Sequence, residues 1–258
     1  MSNSDFEDIA EASLKWTDEN ARFKKNETDY EQFKRLQERD RQRFNKRYQR
    51  RRAQIRKQNL MSWINFLPER WKDADLETLD TPEAKYILNE LNKHKKPISF
   101  FLHGETGVGK TYHAYAILKE YIKREWITPG QIMRDQEKGN LLSEGRLISY
   151  AKTGFEGTNR FEKMLDKGYK VIFLDDLGRG AGSIASDKRK EVWDRLTDYA
   201  YSEGAMFILT SNFPFNHEAV TGSFTAPSLD RMMLLTNGRR MHFKGDNYRI
   251  KLAQQERK

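Results

Sequence analysis

Apolar and polar positions follow different periods in different parts of the chain, and the change of period divides it. Over residues 22–59 there is neither Pro nor Gly, and good helix formers dominate. On a helical wheel Phe23, Tyr30, Phe33, Phe44, Tyr48 and Ile55 form one narrow stripe, with Leu36 off it. Arg41, Arg43, Lys46, Arg47, Arg50, Arg51 and Arg52 are placed on the opposite surface. So narrow a stripe buries too little to fold alone, and the helix is expected to dock on a core or a partner. Residues 1–21 are acidic with scattered apolar positions (Phe6, Ile9, Leu14, Trp16), a short helix or an end that orders on a partner.

Residues 60–97 read as a connector. Leu67-Pro68 and Thr81-Pro82 mark breaks, residues 82–93 predict a helix with Ala84, Ile87, Leu88 and Leu91 on one face, and Pro97 closes it. From residue 98 onward short apolar runs alternate with helical patterns. Strands are expected at 98–102, 146–151, 170–175, 206–209 and 240–243, and the unbroken run Val171-Ile172-Phe173-Leu174 suits a buried central strand. Helices are expected at 111–125, 159–166 and 186–201, while 126–145 is polar and irregular. This order predicts an α/β fold, a mostly parallel sheet covered by helices on both faces. The organisation is then a helical basic module (1–59), a connector (60–97) and an α/β domain (98–258).

Charge sharpens the first boundary. The chain has 258 residues and a net charge of +9, yet residues 22–57 hold fifteen basic and five acidic side chains. Such a segment points to an anionic partner, nucleic acid above all, or to a helix that seats on a partner protein. There is no Cys, which excludes disulfides and thiolate metal sites and suits a reducing compartment. With no apolar run resembling a signal peptide or membrane span, a soluble cytoplasmic protein without membrane contact is expected.

The chemistry gathers after the apolar runs. Gly104-Glu105-Thr106-Gly107-Val108-Gly109-Lys110-Thr111 follows a strand pattern and precedes a helical one, and it fits G-x-x-x-x-G-K-[ST] throughout. Its backbone N–H groups can cradle phosphate at a helix N-terminus, with Lys110 reaching the β- and γ-phosphates and the Thr111 hydroxyl ligating Mg²⁺. The run 171–174 ends in Asp175-Asp176, the first carboxylate expected to hold the metal through its water shell and the second to orient the attacking water. A third run ends in Thr210-Ser211-Asn212, whose amide can share that water and sense the γ-phosphate. Arg231, in Ser228-Leu229-Asp230-Arg231, is either a residue reaching a neighbouring subunit's nucleotide or a surface Arg paired locally with Asp230. The five His show no metal spacing; His103 and His113 flank the loop and are expected to pack or hydrogen-bond locally.

The order of the phosphate loop, Leu174-Asp175-Asp176-Leu177-Gly178, Thr210-Ser211-Asn212 and Leu229-Asp230-Arg231-Met232 resembles AAA+ ATPases of the DnaC/DnaI replicative helicase loader group. The lead-in Pro68-Glu69-Arg70-Trp71-Lys72-Asp73-Ala74 and the tail Asp246-Asn247-Tyr248-Arg249 are similar to theirs as well. The resemblance covers roughly residues 65–258. It implies an AAA+ P-loop fold with a truncated lid, ATP and Mg²⁺ as cofactors, and weak hydrolysis stimulated by DNA or assembly. It also implies a hexameric replicative helicase gripped by the N-terminal module, single-stranded DNA, and self-association through the ATPase domains, in a bacterial or phage-infected cell. Asn212 would be the first sensor, Arg231 a finger acting in trans, and Arg249 a second sensor, while Trp71 would approach the adenine. IstB-type ATPases that assist a transposase share these motifs. A nucleotide-gated DNA-binding adaptor with little turnover is the third expectation, which the intact catalytic set disfavours.

Overall fold

The computed structural model describes residues 27–133, 142–152, 160–179 and 186–248. The acidic segment 1–21, Phe23 and Arg249 lie outside the described residues. The chain divides into two compact units between Ile55 and Arg56.

The first unit contains most of helix α1 (Glu27–Phe66). Of the stripe expected to dock on a core or a partner, Tyr30, Phe44, Tyr48 and Ile55 are 47–60% accessible. Phe44 and Tyr48 stack on each other at 6.4 Å.

In the second unit the last turns of α1 carry Trp63 into the core, which is why the helix runs past residue 59. Then come α2 (Pro82–Asn92), β1 (Phe100–Gly104), α3 (Lys110–Lys123), β2 (Ile132–Met133) and β3 (Leu142–Ser143). They are followed by α4 (Glu144–Lys152), α5 (Arg160–Leu165), β4 (Val171–Leu177), α6 (Ser186–Glu203) and β5 (Met206–Ser211). The last elements are α7 (Glu218–Thr221), α8 (Ala226–Thr236) and β6 (Arg240–Phe243). All described strands pair in parallel, in the order β2-β4-β5-β1-β6, with β3 also on β4.

Successive strand residues face opposite sides. Phe100, Leu102, Val171, Phe173 and Ile208 pack with α2 and α3, whereas Phe101, Ile172, Leu174, Phe207 and Leu209 pack with α4, α6 and α8. A sheet covered on both faces is what the unbroken apolar runs require. Because every strand points the same way, the C-terminal tips of β1, β4 and β5 share one edge, where such sheets bind ligands.

Residues 146–151 are a correction. They belong to α4 rather than to a strand, because Leu147, Ile148 and Ala151 are buried at helical spacing against α5 and α6. The polar stretch 126–145 contributes the two-residue strands β2 and β3, which flank β4.

Candidate functional site

The loop between β1 and α3 is shaped by glycine. Gly104 and Gly107 have φ of +147° and +87°, and a Cβ on either would lie 2.2 Å from the Phe243 carbonyl oxygen or 2.1 Å from Asn247 Oδ1. At Gly104 glycine is required by the Phe243 backbone as well as by φ, and at Gly107 by the left-handed φ, since the Asn247 amide can swing aside. Gly109, at the N-cap of α3, begins a helix whose first side chain is Lys110. Lys110 is 6% exposed, and its Nζ donates to the Gly104 carbonyl at 2.8 Å, the Glu105 carbonyl at 2.7 Å and Asn212 Oδ1 at 3.0 Å. The tips of β1 and β5 are thereby joined through one ammonium group.

The tip of β4 is joined to the same place. Thr111 Oγ1 donates to Asp175 Oδ1 at 3.0 Å, and Thr210 Oγ1 donates to the same oxygen at 2.5 Å. Burial raises the Asp175 carboxyl above the ordinary carboxylate value; the Thr210 bond lowers it, the Asp176 charge raises it, and Thr111 and Lys110 lower it. Hydroxyl and carboxylate oxygens on one side, with an amine and backbone N–H groups on the other, form a donor set that fits Mg²⁺ and a polyphosphate.

Asp176 occupies an irregular position. While β5 advances from Leu209 to Ser211, β4 advances from Leu174 to Leu177, one residue more. Asp176 takes up the difference with φ +59°, a left-handed conformation that costs a non-glycine residue on the order of 1 kcal/mol or more. Four hydrogen bonds hold the turn. Asp176 N–H donates to Thr210 Oγ1 (3.0 Å), Gly178 N–H to Glu144 Oε2 (3.0 Å), Ser211 Oγ to the Leu177 carbonyl (2.7 Å) and Arg179 N–H to the Asp176 carbonyl (3.2 Å). The Asp176 carboxylate itself meets the exposed Arg179 guanidinium at 2.8 Å.

Sequence reasoning missed three supports of this site. Thr210 was read as part of a polar tip, yet its hydroxyl contacts both aspartates. Glu144 is buried and accepts from Arg189 Nε (2.7 Å), Arg189 Nη2 (2.8 Å), Trp193 Nε1 (2.8 Å) and the Gly178 amide. The tail returns to the loop, where Tyr248 N–H donates to the Gly107 carbonyl at 3.1 Å. The tail's motif Asp246-Asn247-Tyr248 was visible in the sequence; the Glu144 pairing carries no local signal.

His113 bonds locally, as expected. Its Nδ1 is 3.0 Å from the Gly109 carbonyl, which can only accept, so Nδ1 carries the proton and Nε2 accepts from Thr81 Oγ1 at 3.1 Å. Burial holds this imidazole's pKa below its ordinary value. His103 stacks on His242 at 4.9 Å across β1 and β6. Trp71 packs on Tyr115 of α3 at 5.3 Å. Arg231 is not part of the hydrogen-bonded cluster around Lys110. It pairs with Asp198 of α6 at 2.8 Å, rather than with Asp230.

No model of a known protein family and no curated protein matches the chain. Solved structures do resemble it. DnaI is 23% identical, covers 70% of this chain and 94% of its own, and superposes with a TM-score of 0.50. AMPPCP-bound DnaA from Aquifex aeolicus is 16% identical over 74% of this chain, with a TM-score of 0.49, and the match spans 56% of the DnaA chain. Domain III of the Thermotoga maritima replication initiation protein DnaA is 15% identical over 67% of each chain, also at 0.49. The fold shared with DnaI is a parallel sheet flanked by helices, and in this chain a helical N-terminal segment precedes it in sequence.

Proposed function

We propose that the chain is an ATP-dependent loader of a replicative DNA helicase onto single-stranded DNA. The observation that carries its ATPase half is the convergence of three strand tips on two side chains, Lys110 touching β1 and β5 and Asp175 tying β4 to α3. The loop residues Gly104, Glu105, Thr106, Gly107, Val108 and Gly109 would offer backbone N–H groups to the phosphates, and Lys110 its ammonium. Thr111 and Asp175 would hold Mg²⁺, which when bound screens the phosphate charge. Asp176 orients the attacking water and can take its proton; Asn212, at the tip of β5, fixes that water and reports the γ-phosphate.

Arg231 would complete the site of a neighbouring subunit. Its side chain is 35% accessible and held by a half-exposed aspartate, a pair weak enough to exchange on assembly. Arg249 is proposed as a second sensor, by position in the tail that follows Tyr248. The fold shared with DnaI over 94% of that chain accords with this reading, and the exposed helix α1 offers a surface for a partner.

The deciding experiment mixes the full chain with its source's replicative helicase and looks for a stable complex by size-exclusion chromatography. A complex is expected. None, with or without ATP, would sink the loader reading, and capture of a transposase instead would move the protein to the IstB-type role.

A further inference from the structure

Helix α1 changes character along its length. All five acidic residues of the segment 22–57 lie at or before Asp40, whereas residues 41–57 hold nine cations and no acid. Each of those nine side chains is exposed. At 1.5 Å per residue they span about 24 Å of helix.

This density is unfavourable to the helix itself. Arg43 and Arg47, Lys46 and Arg50, Arg47 and Arg51, and Arg52 and Arg56 are like charges four residues apart, where repulsion opposes helix formation. A bound polyanion relieves it.

The cations also border the aromatic stripe. By helical spacing Arg47 and Arg51 lie on one flank, and Arg41 and Arg52 on the other, nearer than the opposite surface assigned to those two. The Arg52 guanidinium sits 6.0 Å from the Tyr48 ring centre. Phe44 is 60% and Tyr48 50% exposed, and their rings are nearly parallel, at 11°.

We propose that the part of this stretch within the first unit, Arg41 to Arg52, is a binding surface for single-stranded DNA. The guanidinium and ammonium groups take the phosphates, and Phe44 and Tyr48 offer faces to unpaired bases. Cations tracking a backbone beside stackable rings are the recipe for single-strand binding, whereas a duplex keeps its base faces stacked inside. An acidic protein groove is the weaker fit, because it pairs the cations but offers the exposed Phe44 and Tyr48 rings no unpaired base faces to stack on. The inference shares with the loader reading only its ligand and requires neither ATP nor helicase.

The test measures binding of the full chain to fluorescein-labelled oligothymidylate by anisotropy across a salt series, without nucleotide. Changing Arg43, Arg47 and Arg50 together to Gln keeps good helix formers, and circular dichroism checks that helicity persists. If three phosphate contacts are lost, the slope of log K against log salt becomes shallower by about 2. Phe44→Leu with Tyr48→Leu is expected to weaken binding by about five-fold or more at an unchanged slope. An unchanged slope and affinity in the triple variant would overturn the proposal. So would equal affinity for a matching duplex, silent aromatic variants, or a triple variant that keeps DNA binding and loses only its complex with helicase. Loss of helicase capture by wild type with these DNA effects intact would instead refute the loader reading alone.

Discussion

Glu144→Ala is the sharpest probe of how the acidic turn is held. The carboxylate is 2% and the Arg189 side chain 3% exposed, so this is an ion pair inside the core. Its loss leaves Arg189 with the Ala219 carbonyl, 3.0 Å from Nη2, in place of a counter-charge. Removing one partner of a buried pair costs about 3–5 kcal/mol. The substitution also orphans Trp193 Nε1 and the Gly178 amide, buried donors that cost about 1–3 kcal/mol each when unmet, which places the total toward the upper end. For a domain of this size that lowers Tm by roughly 6–20 °C, at about 2–4 °C per kcal/mol. Thermal unfolding of the full chain reads it directly. Turnover carries the second consequence. The Gly178 amide lies two residues past Asp176, so kcat should fall while ATP affinity, set by Lys110 and the loop, stays near wild type. Pairing Glu144→Leu with Arg189→Met removes the orphaned charge and should recover part of the stability, the remainder staying lost with the unmet Trp193 Nε1 and Gly178 amide. It should not recover kcat, because the amide remains unmet. A Glu144→Ala protein within about 1 kcal/mol of wild type would refute the clamp, well below the loss expected for a broken buried pair. Unchanged kcat would refute its role in placing Asp176.

Three further outcomes are expected. Lys110→Ala should abolish ATP binding in calorimetry, whereas Asp176→Asn should bind ATP and hydrolyse it far more slowly; the reverse pattern would exchange their roles. Asp175→Asn should raise Tm at pH 7 without nucleotide. Burial lifts the Asp175 pKa above its ordinary value of 3.8, so the folded state binds the proton more tightly, and ionisation subtracts stability as pH rises from about 3.8 toward the raised value. The gain should vanish on acidification below the unfolded-state value, and a gain independent of pH would refute the cause assigned to it. Arg231→Ala should spare ATP binding and cut DNA-stimulated turnover by roughly 10³-fold or more if it acts in trans. Mixtures of wild type and variant without crosstalk would confine Arg231 to its pair with Asp198.

What the sequence showed and what it hid follow from how far each interaction reaches. The phosphate loop is local: a run of eight residues dictates its own backbone through glycines at positive φ. The strands were legible as unbroken apolar runs because both faces of the sheet are covered. Residues 146–151 defeated the same reasoning, since a short apolar run fits a buried helix as well as a strand. The choice was made elsewhere, by Phe161 and Trp193, which line the core that α4 packs into. Helix α1 was legible as a helix, whereas its stripe left core and partner open, because a stripe records which residues align and not what they meet.

The acidic turn shows the same division within three residues. Asp175-Asp176 was found because two carboxylates at the end of an apolar run are a local pattern. Their different surroundings were not. Asp175 is buried and tied by two threonine hydroxyls; Asp176 stands at an extra residue in β4, left-handed, its carboxylate meeting an exposed arginine. That difference suits Asp175 to the metal-holding role proposed for it and Asp176, whose partner is an exposed arginine, to the proposed contact with water. It is set by Thr210 from a neighbouring strand and by Glu144, more than thirty residues upstream and itself gripped by Arg189 a further 45 residues along. A buried ion pair contributes little net stability over an apolar core of the same volume. Its use here is geometric: an acceptor in the core that a methyl group could not replace, holding the Gly178 amide and, through it, the strained residue on which hydrolysis is proposed to depend.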